Sequence, residues 1–200
     1  MENKILLFNR WDVAGVQVRD PGLKRYINLR PVIVPKSSGK YTRVSIRKAN
    51  VSIVERFINK LCVPGHKGKK HKITSGRSCG RYQTIYGAVR DGFEIIYKKT
   101  NKNPLQVLVD AVENGALLEE VMGYRLGGMI ARKAVVTTPQ RRLDISLKLI
   151  AQNIYSSSFN KKGSLPDVIA NELIAIAAND QRNNVIRERI RIEKEAEGAR

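Results

Sequence analysis

The stretch that most narrows the possible folds is Ala116–Leu143, where two runs of apolar and β-capable residues flank Gly127-Gly128. A Gly-Gly pair supplies the positive φ angles of a tight hairpin turn. Thr138-Pro139 ends the second strand, because proline cannot donate to a ladder but suits the first turn of a helix. Gln140-Arg141-Arg142-Leu143 then opens a helical apolar pattern. The spacing predicts a β-arm at 117–138 that returns to an arginine-led helix. A lone hairpin is not stable in water, so this one is expected to lean on a partner.

The rest of the chain reads as helix from residue 51 onward. Ser52 and Glu55 have capping-box spacing at the head of a helix ending near Cys62. Val54, Phe57, Ile58 and Leu61 form its buried stripe, with Arg56 and Lys60 expected to face outward. A second helix covers about 81–99, with Ile85, Val89, Phe93 and Ile96 inward. Asn103-Pro104 caps a third, carrying Leu105, Leu108, Val109 and Val112, and Asn114-Gly115 ends it. After the arm, Leu143, Leu147, Ile150 and Ile154 mark a helix from Pro139 to about Ser157. Ser164 starts another to about Ala178, with Ile169, Leu173 and Ile176 inward. Residues 181–200 mix Arg and Glu and read as a solvated helix or a tail.

Residues 1–50 lack steady helical periodicity. Val16-Gln17-Val18 suggests a short strand, Leu23–Leu29 a short helix, and Pro35–Tyr41 a flexible basic loop. Together they read as an extension, separate from the helical domain of 51–200, that gains order on a partner.

Charge identifies the partner class. The chain has 37 Lys/Arg against 18 Asp/Glu, a net charge of +19 and a pI near 10.2. Between Pro21 and Arg90 there are 17 Lys/Arg and one acid, Glu55. Such concentration suits a phosphate-binding surface. Aromatic residues make up only 6% of the chain, which favours recognition of folded RNA by shape and backbone over stacking of single strands. No run approaches the roughly 18 apolar residues of a membrane span, and the N-terminus lacks a signal-peptide pattern. A cytoplasmic location is expected.

Other chemistries fit less well. Cys62, His66, His71 and Cys79 have zinc-binding residue types, but their C-x3-H-x4-H-x7-C spacing departs from the close pairs of structural zinc. Gly65–Lys70 lacks the pattern and preceding strand of a phosphate-binding P-loop. Glu119 and Glu120 point to opposite faces of a strand and suit ion pairs better than acid–base work. No catalytic constellation is apparent, so no enzyme activity and no cofactor are expected. A metal enzyme around His66 and His71 and a helical DNA-binding regulator are the competing readings. The latter would need its basic residues on one recognition helix, whereas here they lie on loops and an arm.

Four stretches carry a resemblance. They are Ile53–Lys60, Asn103-Pro104-Leu105-Gln106-Val107-Leu108-Val109, Arg125–Gly128 with Pro139–Arg142, and Leu165–Ala178. In this order they resemble the universal small-subunit ribosomal protein seven family. Trp11, Val16–Val18, Ser38–Tyr41 and Arg47–Ala49 are similar to its archaeal and eukaryotic branch. The resemblance implies a mainly α fold, a bundle of about six helices with a protruding two-stranded β-hairpin and a basic N-terminal extension. It implies binding to the 3′ major domain of small-subunit rRNA and nucleation of head assembly. The arm would lie near the E site, its tRNA and the mRNA exit path, close to small-subunit ribosomal proteins nine and eleven. Lys40, Arg43, Arg47, Lys48, Lys60, Lys67, Lys69, Lys70, Lys72, Arg77, Arg81, Arg141 and Arg142 are then expected to neutralise phosphates. Arg125, Arg132 and Lys133 would carry the arm's contacts.

Overall fold

A computed structural model describes residues 5–65 and 80–200. Among them the elements run α1 (Pro21–Lys24), a 3₁₀ turn (Ser45–Asn50), α2 (Ile53–Cys62), α3 (Tyr82–Thr100), α4 (Pro104–Asn114), β1 (Glu119–Leu126), β2 (Met129–Val136), α5 (Pro139–Ser158), α6 (Leu165–Ala177) and α7 (Asn184–Glu197). The six longer helices form the bundle and the hairpin projects from it, as expected.

Local chemistry sets the helix starts. The Asn103 side chain accepts from the Leu105 N–H ahead of Pro104, and Ser164 accepts from the Asp167 N–H. These caps satisfy donors that have no intrahelical partner. The helical stripes then meet: Phe57, Ile58, Val89, Phe93, Leu108, Val109, Leu143, Ile150, Ile169 and Leu173 are fully buried in one core. Alpha-3 lies along α6, which also packs on α4 and α5.

Three expectations change in the N-terminal region. Leu7, Trp11, Val13, Leu23 and Ile27 belong to the same core, so residues 7–27 pack without a partner molecule. Phe8 sits edge-on to Tyr86 and Phe93, and the Trp11 ring lies 5.2 Å from that of Tyr97. No strand forms at 16–18. Instead Gln106 clasps the backbone of Gln17, accepting from its N–H at 2.8 Å and donating to its carbonyl at 3.0 Å. The helix expected over 23–29 is the shorter α1, held at its start by the Asp20 carboxylate. The sequence pattern hides this packing because coil buries side chains without a period.

The start of α2 also differs. Ser52 makes no side-chain cap, and Glu55 turns away to accept from the Ser37 N–H and hydroxyl at 2.8 and 2.7 Å. The carboxylate therefore anchors the basic loop to the bundle instead of closing a capping box.

In the arm, all eight residues of β1 pair with β2, from Glu119↔Val136 to Leu126↔Met129. Gly127 has φ +61 at the first turn position, as a type II′ turn requires. Support comes from within the chain. Alpha-7 packs on β1, the Glu193 carboxylate accepts from the Leu118 N–H at 3.0 Å, and Arg189 donates to the Asn114 carbonyl at 2.6 Å. Of the two readings of 181–200 the helix holds, but it is an arm support with Val185, Ile186 and Ala196 buried and not a fully solvated one. Beyond that root the arm is bare, with Leu126, Met129 and Ile130 all at least 64% exposed.

Candidate nucleic-acid interface

The basic loop, the 3₁₀ turn, α2 and α5 converge on one groove of about 480 Å³. Lys48 reaches it from the 3₁₀ turn, Arg56 and Lys60 from α2, and Asp144 from α5. Three contacts fix the loop and the turn. Glu55 holds Ser37, Asn28 donates to the Asn50 carbonyl, and Gln140 at the head of α5 donates to the Ser45 carbonyl.

Arg56 was expected to face outward, but it is buried. Its Nη2 lies 2.9 Å from Asp144 Oδ1, and Lys48 Nζ pairs with the other carboxylate oxygen. Alpha-2 is covered on a second side by α5, and a buried guanidinium needs a carboxylate there. Lys60 remains half-buried with its charge uncompensated in part. Burial of the ammonium, then the charges of Lys148 and Lys48, push its pKa below the ordinary lysine value, against a pull from Asp144.

At the arm root, neighbouring arginines diverge. Arg141 is exposed and forms a bidentate pair with Glu120, with Nη2 at 2.7 Å from Oε2. That bond raises its pKa further. Arg142 turns inward, donating to the Leu117 carbonyl at 2.9 Å and to Asp20 at 2.8 Å. Its side chain is only 13% exposed, so it ties the N-terminal region to the arm root and offers little to a ligand. Glu119 pairs with Arg200, so both acids at the start of β1 serve ion pairs.

The other sequence-derived residues fall into three groups. Lys40, Arg43, Arg47 and Arg81 are exposed, with the Lys40 ammonium 5.8 Å from the Tyr41 ring centroid. On the arm, Arg125 and Arg132 are exposed on one face of the hairpin, while Lys133 shares the opposite face with Met122, Tyr124, Leu126 and Met129. Lys67, Lys69, Lys70, Lys72 and Arg77 lie outside the described residues, as do His66, His71 and Cys79. Cys62 is buried. Among the described residues no group of three His, Cys, Asp or Glu could hold a metal ion, and no helix is long and apolar enough to cross a membrane.

Three further cations belong to this surface and were not singled out from sequence. Lys148 stands beside Lys60 and is exposed. Its signal was available: Arg141, Asp144 and Lys148 follow i, i+3, i+7 spacing on one face of α5. Arg30 and Lys36 line a smaller hollow of about 190 Å³ together with Lys40 and Tyr41. They flank Pro31 and Pro35 in irregular chain, where no period reveals a face.

Comparison with known proteins places this architecture. The family described as ribosomal protein S7p/S5e matches residues 23–200. The small ribosomal subunit protein uS7 of Nanoarchaeum equitans is 40% identical over 197 residues, covering 98% of this chain and 100% of the relative. That of Methanospirillum hungatei is 42% identical over 195 residues, covering 98% and 95%. That of Archaeoglobus fulgidus is 39% identical over 199 residues, covering 100% and 97%. The chain belongs to the ribosomal protein S7p/S5e family.

Proposed function

We propose that the chain is a structural, non-enzymatic component of the small ribosomal subunit that binds folded rRNA through its phosphates. The observation that carries this is the cluster of cations at the groove between the basic loop, the 3₁₀ turn, α2 and α5. Lys48, Arg56, Lys60 and Lys148 come from three separated segments and crowd together, with Asp144 offsetting part of their charge. Uncompensated cations crowded together destabilise a free protein; a polyanion relieves the repulsion and releases its own counterions.

In the finer reading, the RNA is a multi-helix junction of the 3′ major domain, and its binding nucleates assembly of the head. Lys40, Arg43, Arg47, Lys48, Lys60, Arg81 and Arg141 face the junction, together with Lys67, Lys69, Lys70, Lys72 and Arg77. Arg125, Arg132 and Lys133 act on the bare arm, which extends toward the E-site tRNA and mRNA exit path. Small-subunit proteins nine and eleven are its neighbours, and the cytoplasm its compartment. Family membership and the arm's projection support these assignments.

The test is filter binding of the whole chain to an isolated 3′-major-domain junction at increasing salt. The expected log–log slope is steep, near −0.7 to −0.9 for each phosphate neutralised, with weaker binding to duplex DNA of equal length. A flat response, or equal affinity for the DNA, overturns the proposal.

A further inference from the structure

The same groove has walls that a purely phosphate-binding surface would not need. Val63 is 63% exposed at its mouth, and Val51 and Tyr41 line it half-buried. Lys48 and Lys60 stand among these apolar surfaces, and the exposed Asn59 amide opens into the same space. A phosphate gains nothing from exposed valines, while an apolar ligand gains nothing from two ammonium groups. A nucleotide matches all three features. Its phosphate is anionic, its base has a flat apolar face, and its edge carries donors and acceptors that an amide can meet. The volume of about 480 Å³ falls within the roughly 300–1,000 Å³ of small-ligand sites.

Resting on the rRNA-binding function above, we propose that this groove accepts one unstacked RNA nucleotide, with its base against Tyr41, Val51 and Val63 and its phosphate between Lys48 and Lys60. Asp144 holds the Lys48 ammonium in the free protein, and the incoming phosphate takes over that partner. Asn59 reads the edge of the base. The site therefore recognises an unpaired position in an RNA otherwise bound by shape, and it needs no aromatic sheet to do so.

The experiment titrates isotope-labelled full-length protein with AMP, GMP, CMP and UMP in separate arms, against ribose 5-phosphate and inorganic phosphate at equal ionic strength. Amide NMR shifts are expected at Val51, Asn59 and Val63, with at least one nucleotide binding about tenfold more tightly than ribose 5-phosphate. Equal binding of ribose 5-phosphate leaves an anion site alone and overturns the proposal, as does an absence of shifts in the groove. Val63→Trp fills the mouth without removing charge. It is expected to abolish the nucleotide shifts and weaken junction binding about tenfold, with the salt slope kept. Unchanged junction affinity in a folded V63W protein overturns the groove assignment while rRNA binding stands. Failure of the wild-type chain to bind the junction with a salt slope defeats the rRNA reading itself.

Discussion

Arg56 and Asp144 meet at 2.9 Å where α2 packs on α5, and the same carboxylate also holds Lys48. The guanidinium is buried at 7% exposure, whereas the carboxylate is 39% exposed and keeps part of its hydration. Removing the acid strands a buried cation, and that loss exceeds the net worth of the pair. Asp144→Ala is expected to lower the unfolding free energy by about 1–3 kcal/mol, below the fully buried range because solvent screens the exposed acid. Urea denaturation measures this. The same change frees Lys48 and removes a negative charge, so the salt slope of RNA binding should hold or steepen. A shallower slope would contradict the arrangement.

Arg141 and Arg142 make an internal control for phosphate contact against scaffolding. Arg141 is 59% exposed, so losing its pair with Glu120 should change stability by less than about 1 kcal/mol. Arg141→Ala should instead reduce the salt slope of junction binding by about one unit. Arg142→Ala breaks a part-buried donation to the Leu117 carbonyl and the pair with Asp20. It should cost about 2–3 kcal/mol and leave the slope unchanged. Thermal melts and filter binding on both variants separate the roles; identical behaviour of the two would refute the division.

That division explains what could be read from the chain. The stripes of α3, α4, α5 and α6 were legible because each has one dominant apolar face, and Phe93, Leu108, Ile150 and Leu173 are all fully buried. The hairpin was legible because Gly127-Gly128 leaves few alternatives. Arg56 was not, since burial of a charged residue depends on Asp144, 88 positions away. Arg141 and Arg142 are alike in sequence, but about 100° of helical rotation sends one to Glu120 and the other to Asp20. The packing of Leu7, Trp11 and Val13 was hidden because irregular chain has no period to reveal a buried side. The support from α7 was hidden because Val185, Ile186 and Ala196 are too few to stand out among its charges.

Lys60 should show a measurable conflict between stability and binding. Its pKa is depressed by burial first, then by Lys148 and Lys48, with Asp144 opposing. Between that lowered value and the ordinary lysine value, the unfolded chain holds more protons than the folded one. Stability therefore rises with pH through this window, and at neutral pH the fold bears the strain of the charge. Lys60→Gln should stabilise the free protein at pH 7 by less than about 1 kcal/mol, because the part-exposed ammonium is screened. Its advantage should vanish above the ordinary lysine pKa. Junction binding should weaken and its salt slope fall by about one unit. Denaturation curves across alkaline pH test the sign, and a stability advantage that grows with pH would reverse the assignment.

Gly115 tests the tight joint between the bundle and the arm. It follows α4, and an added Cβ would stand 2.7 Å from the Ser146 hydroxyl and 3.3 Å from the Ala111 carbonyl. Ser146 is fully buried and donates to the Val112 carbonyl at 2.8 Å, so swinging aside would break that bond. The Ala111 carbonyl belongs to helix backbone and yields little. Gly115→Ala should destabilise by about 1–3 kcal/mol, the range for forcing a methyl group into filled space. Gly115→Ala with Ser146→Ala removes both the clash and the unsatisfied hydroxyl, so it should recover part of the loss. The coupling follows from comparing the two single variants with the double variant by denaturation. Additive losses would mean that the backbone, not Ser146, sets the limit. Because the Asn114 carbonyl accepts from Arg189, a strained joint should also raise amide exchange at Leu118 and along the root of β1.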